Sequence, residues 1–395
     1  MSTVDFSDPL RVTRNVRYER NASVFLDNDN FAWMFYTRAD TINQRSESDV
    51  DHESYMIYYR KSNNIMNLDG SFNWSSAQLL NKTRPTDFNQ REVSAVQDSS
   101  GTIWVFAGSG DSGNYRPLWY YKSTDGGVTW SDGAPLIIPG ERTNDDDTTR
   151  LGHIHVVYKA GIFYLVYQTS GQSAIWMSKS TDGTTWSARI PIWPSEIAGH
   201  MVPKIMVEGS TIYVVEVEGA EGKVYFDKST DEGSSWTKTH VLGSEVAWGD
   251  WDPYIARIPD GRLALVWAPN VDSDGQQLKI SYSSDNGTTW STAENLTTGK
   301  SGSEEWWDYW PQILTYSDSV AIFYTSEKDG ITDTFNGGNI WQIPCHRTDP
   351  FRSRLRSKFN AGATDVQNNM SKASKVTTTP RGTVFGEKKD YIFNG

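Results

Sequence analysis

The chain has 395 residues, including 17 Trp, 19 Tyr and 15 Phe, and its 37 Lys and Arg against 49 Asp and Glu give a net charge of −12. No window approaches the roughly 18 consecutive apolar residues of a membrane span, and Cys345, the single cysteine, excludes an intramolecular disulfide framework and a cysteine-rich zinc site. The acidic balance, without any basic block, argues against nucleic acid as a partner, and the opening MSTVDFSDPLRVTRNVRYER has no apolar h-region, so no signal peptide is expected as written.

In chain order, alternating strand-like segments come in groups of about four, each group ended by one kind of turn. The first group starts near Asn21 to Leu26 and closes at Asn67-Leu-Asp69-Gly70-Ser-Phe-Asn-Trp74. The second runs from Val93 to Gln97, through the turn Asp98-Ser-Ser-Gly101 and the segment Leu118-Trp-Tyr-Tyr-Lys122, to Ser123-Thr-Asp125-Gly-Gly127-Val-Thr-Trp130. The third starts at Ile154 to Tyr158 and ends at Ser180-Thr-Asp182-Gly183-Thr-Thr-Trp186; the fourth starts at Lys204 to Val207 and ends at Ser229-Thr-Asp231-Glu-Gly233-Ser-Ser-Trp236. The fifth starts at Tyr254 to Ile258 and ends at Ser283-Ser-Asp285-Asn-Gly287-Thr-Thr-Trp290, and the sixth starts at Gln312 to Tyr316 and keeps only a decayed turn, His346-Arg-Thr-Asp349-Pro. From Trp74 onward the Trp-to-Trp steps are 56, 56, 50 and 54 residues. Within each turn Asp and Ser oxygens suit backbone N–H groups, Gly supplies positive φ, and Trp plugs the loop. Four antiparallel strands per repeat predict an all-β, six-bladed β-propeller over residues 1–357, with five or seven blades as alternatives if a terminal segment adds or fails to add one. Residues 358–395 break the pattern and are expected to dock on the propeller, to close its ring as the outer strand of the sixth blade, or to mediate homo-oligomer assembly.

The Ser-x-Asp-x-Gly-x-Thr-Trp unit resembles the Asp box of bacterial-neuraminidase-repeat proteins, the sialidase-like propellers. That resemblance implies the propeller fold; its members include glycosidases, polysaccharide lyases and non-catalytic binders, so function rests on the site. The family's carboxylate clamp and acid would fall on Arg20, within Tyr18-Glu-Arg20-Asn, followed by Tyr36-Thr-Arg38, and on Asp49 or Asp51. The other clamp arginines have no counterpart: blades four and five offer His200 with Lys204, and Asp250 with Asp252.

The residues themselves single out the mouth where inner strands begin. Registering Pro203, Pro253 and Pro311 puts His200, Asp250 and Asp308 at one equivalent position, with Arg91 beside Glu92, His153 or Arg150, and Arg20 from the other blades. Trp248, Trp251, Trp306, Trp307 and Trp310 crowd the same mouth, outside every repeat turn, and their flat faces suit pyranose rings. Asp250, Asp252 and Asp308 are candidate carboxylates for glycoside hydrolysis. Elimination on a uronate would instead use His153 or His200 as base, Tyr254 or Tyr309 as proton donor, and Arg91 or Arg20 on the carboxylate. The expectation is a glycoside hydrolase of sialidase-like type on an acidic glycan, with a non-catalytic glycan binder, surface-exposed or virion-borne, and a polysaccharide lyase as alternatives. No cofactor is expected; Asp27-Asn-Asp29-Asn and Asn144-Asp-Asp-Asp147 are oxygen-rich loops suited to calcium but match no EF-hand.

Overall fold

The computed structural model describes residues 4–6, 8–14, 18–39, 55–67, 70–80, 90–109, 118–141, 151–169, 174–193, 200–218, 223–243, 250–269, 277–297, 308–327 and 338–347. These form six antiparallel sheets in sequence order, the blades of a six-bladed β-propeller spanning Val4–Arg347. No helix occurs among the described residues, and none is long and apolar enough to cross a membrane. The first blade is typical: Glu19–Leu26 is innermost, followed outward by Phe31–Ala39, Tyr55–Ile65 and the short Gln78–Leu79. The inner strands of the other blades are Gln90–Gln97, Leu151–Lys159, His200–Glu208, Asp250–Arg257 and Asp308–Tyr316.

The sixth blade continues outward through Ser319–Ser326 and Asn339–Arg347, and its outer position is filled from the N-terminus. Val4–Phe6 pairs antiparallel with Cys345 to Arg347, and Leu10–Arg11 pairs with Trp341 and Gln342. The place that the sequence reading offers to the C-terminal tail is therefore occupied by the opening residues, which corrects the ring-closing role expected of that tail. The N-terminal segment already alternates and can satisfy the strand edge left open by Asn339–Arg347. Residues 358–395, with their expected docking and assembly roles, lie outside the described residues.

The repeat turns lock neighbouring blades together. In the second blade, Ser123 Oγ donates to Asp125 Oδ1 at 2.7 Å and accepts the Gly127 N–H at 2.8 Å, while Asp125 accepts the Thr129 N–H at 2.9 Å. The same pattern recurs around Asp182, Asp231 and Asp285. These bonds hold the exposed Asp125, Asp231 and Asp285 carboxyls down at about 2, led by the Thr129, Ser235 and Thr289 hydroxyls, and lower Asp182 through the Thr185 N–H. Each turn's tryptophan reaches the preceding blade: Trp130 meets Phe35 edge-on at 5.7 Å, Trp186 meets Phe106 at 5.8 Å, Trp290 meets Phe226 at 5.5 Å, and Trp74 closes the circle on Phe323 at 5.9 Å. The turn tryptophan is thus a joint between blades as well as a plug for its own loop.

Candidate functional site

Every inner strand starts with a one-residue register shift. The shifts lie between Arg20 and Ser23, Gln90 and Glu92, Gly152 and His155, Met201 and Lys204, Trp251 and Tyr254, and Tyr309 and Gln312. At the shift Asn21, His153, Val202, Asp252 and Trp310 adopt positive φ between 50° and 56°. Such bulges bend a strand and re-aim its side chains. Pro203, Pro253 and Pro311 sit within them, where no ladder N–H is required. This is why these strands begin three residues before the prolines, four ahead of where a pattern read from the sequence starts them.

Below the bulge, equivalent positions carry Ser23, Ser94, His155, Lys204, Tyr254 and Gln312. Four of them lace one inner strand to another. Ser23 Oγ accepts the Ala95 N–H at 2.9 Å, Ser94 Oγ the Val156 N–H at 2.9 Å, His155 Nδ1 the Ile205 N–H at 3.1 Å, and Gln312 Oε1 the Val24 N–H at 2.6 Å. Ser23, His155, Lys204, Tyr254 and Gln312, with Asn21 and Trp310 above them, line a pocket in the throat of the channel. The lacing places Glu92, His153 and Asp252 on one level just above it.

That level is charged. Glu92 Oε1 pairs with His153 Nδ1 at 3.0 Å, and its Oε2 accepts the Ile154 N–H at 3.2 Å. Asp252 is 7% exposed, and burial raises its carboxyl to about 6 against the attraction of Lys204 and His153. Burial also lowers the Lys204 ammonium, opposed by Glu92 and Asp252. His155 is held well below the usual imidazole range by burial and then by Lys204, and stays neutral.

Beside this level, blades six and one form a second cluster. Arg20 is 6% exposed; its guanidinium lies over the rings of Tyr55 at 4.4 Å, Trp310 at 5.1 Å and Tyr18 at 5.9 Å. Its Nε is buried without a hydrogen-bond partner, and it pairs with no carboxylate among the described residues. Next to it Tyr309 donates to Glu327 Oε1 at 2.6 Å, and the Tyr18 hydroxyl meets the Tyr309 hydroxyl. Burial pushes both phenols well above their ordinary value, so they remain protonated donors at neutral pH.

Of the residues singled out by sequence, Arg20, His153, Lys204, Asp252, Tyr254, Asp308, Tyr309 and Trp310 have described side chains at this end. Asp308 shares its register with His200 and Asp250, as the proline registration predicts, each opening its inner strand opposite Ser326, Glu218 and Pro269. It is 2% exposed and its charge bears on Tyr324 of the second strand. In the first blade that register belongs to Glu19, one residue before Arg20. Arg38 is paired within the same blade, its Nη2 at 2.6 Å from Glu19 Oε1 and its guanidinium 3.9 Å from the Tyr58 ring, so its charge is already matched. The side chains of Arg91, His200, Asp250 and Trp251, and all of Asp49, Asp51, Arg150, Trp248, Trp306 and Trp307, lie outside the described residues. Asp27 is engaged by the Asp29 and Phe31 N–H groups, the Trp33 indole at 3.0 Å and Lys61 at 3.1 Å, Asn144 to Asp147 lie outside the described residues, and no cluster of three or more metal-ligating side chains occurs among those described. Sequence reasoning missed His155 and the Tyr18–Tyr309–Glu327 contact. His155 had a signal: it stands 49 residues before Lys204, which stands 50 before Tyr254.

No protein-family model matches the chain, and no curated protein sequence matches it. Solved structures do. A protein of unknown function from Dyadobacter fermentans superposes with a TM-score of 0.65 at 14% identity, over 87% of this chain and 99% of that one. An α-L-arabinofuranosidase from Fusarium graminearum, solved with an iminosugar inhibitor, gives 0.62 at 13% identity, covering 87% and 98%. The NanB sialidase from Streptococcus pneumoniae gives 0.59 at 13% identity, covering 87% and 71%. At these identities the likeness is one of fold, a propeller used by carbohydrate-active proteins.

Proposed function

We propose that this protein is a glycoside hydrolase of the sialidase-like, Asp-box type that acts on an acidic glycan at the mouth of the propeller. The observation that carries the reading is Arg20: a guanidinium nine-tenths buried, flanked by three aromatic rings and matched to no carboxylate among the described residues. An unmatched buried cation is costly to fold, and a planar carboxylate is the ligand its fork suits. Trp310 and Tyr55 offer the aromatic faces beside it for a pyranose ring. Asp252, protonated to about 6 by its burial, serves as the acid that donates to the leaving oxygen. Tyr309, whose proton Glu327 is placed to take, stands next to Arg20 where a nucleophile would attack. Asp51, Asp250, Asp308 and His200 remain candidates for the acid–base roles, and Arg91, His153, Trp248, Trp251 and Trp307 for substrate contact.

The test is a substrate panel of sialosides, uronate-containing polysaccharides, arabinans and neutral glycans, followed by release of reducing ends and by ultraviolet absorbance of unsaturated uronate. Turnover confined to acidic substrates, lost in Arg20→Met and in Asp252→Asn while both variants stay folded with no fall in melting temperature, is the expected result. Binding without turnover on every substrate would make the protein a glycan binder; absorbance of unsaturated uronate would make it a lyase.

A further inference from the structure

Among the described residues, the throat beneath the mouth presents an ammonium and neutral hydrogen-bond donors around one pocket. The lacing consumes the acceptors at this level: Ser23 Oγ and Gln312 Oε1 each receive a backbone N–H, and His155 Nδ1 does the same, which fixes the imidazole proton on Nε2. Gln312 Nε2 donates to the Tyr254 hydroxyl at 3.2 Å, leaving the phenol proton for another acceptor. Lys204 lines the same pocket and forms no hydrogen bond or ion pair among the described residues. The His155 and Tyr254 rings stand 5.4 Å apart, edge to face, and both line this pocket.

We infer that the throat formed by His155, Lys204 and Tyr254 binds an oxyanion, the acceptor that an ammonium and two neutral donors around one pocket suit. The opposing charges are on the rim. Asp252 and Glu92 attract Lys204 through space, and Glu92 is itself engaged by His153. As Asp252 takes up its proton the repulsion of an entering anion falls, so occupancy strengthens from pH 8 to pH 5.5. The oxyanion is either a sulfate or carboxylate substituent of a glycan seated at the mouth, or a free inorganic ion. This site is separate from Arg20, and its occupancy does not rest on hydrolytic activity.

The experiment is calorimetric titration of the full chain with sodium sulfate, and with a sulfated disaccharide and its unsulfated parent, at pH 5.5 and 8. Sulfate binding that tightens at the lower pH and weakens about tenfold or more in Lys204→Met is expected. Tyr254→Phe, which keeps the ring, weakens it several-fold, and Arg20→Met leaves it in place. Lys204→Gln serves if the Met variant fails to fold, with melting curves as the check. A sulfated disaccharide that outbinds its parent, with that advantage abolished in the Lys204 variants, identifies a glycan substituent; sulfate binding without such an advantage identifies a free ion. Absence of binding by sulfate and by the sulfated disaccharide, or equal binding by wild type and Lys204→Met, overturns the inference.

Discussion

Asp252→Asn separates a carboxyl retained for chemistry from one retained for stability. Asp252 is 7% exposed, and burial raises its pKa from 3.8 to about 6. Asn has nearly the same shape, tolerates the positive φ of 53°, and can still accept the Trp310 N–H. A folded-state pKa above the unfolded one means that the folded protein holds the proton more tightly. The carboxyl therefore costs nothing below about pH 4, becomes destabilising as pH rises towards 6, and carries its full cost above that. A shift of about 2 units corresponds to ~3 kcal/mol; the attractions of Lys204 and His153 are already contained in it. Asp252→Asn should match wild type near pH 4 and be more stable by up to ~3 kcal/mol at pH 8, seen as melting temperatures that diverge by several degrees across that range. Hydrolysis should fall at the same time. A melting difference independent of pH, or a variant less stable at pH 8, would refute the assignment of a desolvated, functional carboxyl.

Gly127→Ala should destabilise much more than Gly101→Ala. Both have φ near +86°, but a Cβ at Gly127 would lie 2.5 Å from Trp33 Cη2, whereas nothing lies within 4 Å at Gly101. Backbone strain alone gives ~1–2 kcal/mol for Gly101→Ala, and overpacking adds a further ~1–3 kcal/mol for Gly127→Ala; denaturant titration of the pair reads the difference. The turn carboxyls of Asp125, Asp231 and Asp285, held at about 2, stabilise the folded state above the unfolded value near 4 and lose that contribution as pH falls through 2. Carboxyl carbon NMR of Asp-labelled protein should place their midpoints near 2, and midpoints near 4 would dissolve the proposed hydrogen bonds. Cys345 is fully buried and its thiol is raised well above 9 by that burial, so a thiol reagent should label it only at the rate of unfolding.

The blades were legible because turn chemistry and strand alternation repeat locally: Ser123 to Trp130 announces its hairpin with no knowledge of the rest of the chain. The identity of the sixth blade's outer strand was not, since the pairing of Val4–Phe6 with Cys345 to Arg347 joins opposite ends of the sequence. At the site, proline registration placed His200, Asp250 and Asp308 together, but it could not show that a bulge intervenes before the throat. That bulge decides which carboxylate is which. It sets Asp252 level with Glu92 and His153, whereas Asp308, two residues earlier in register, is packed near Tyr324. Arg38 shows the same limit from the other side, for its spacing suggested substrate and its actual partner is Glu19 on the adjacent strand.

The repetition of the bulge also explains why chemistry would gather at this end of the channel. Five non-glycine residues adopt the left-handed region at equivalent positions, among them the β-branched Val202 and the bulky Trp310. Each costs ~1–2 kcal/mol relative to an ordinary strand conformation, so five copies are a burden that simple closure of a ring does not require. What the bulge gains is direction: it aims His153 at Glu92, brings Trp310 over Arg20, and leaves Asp252 buried beside a lysine without an ion pair. Strain, a desolvated carboxylate and cations that form no ion pair among the described residues therefore coincide around one mouth. A scaffold under selection for packing alone would have removed any of the three by a single substitution, such as Val202→Gly, Asp252→Asn or Lys204→Met, which makes their coincidence the physical mark of a site.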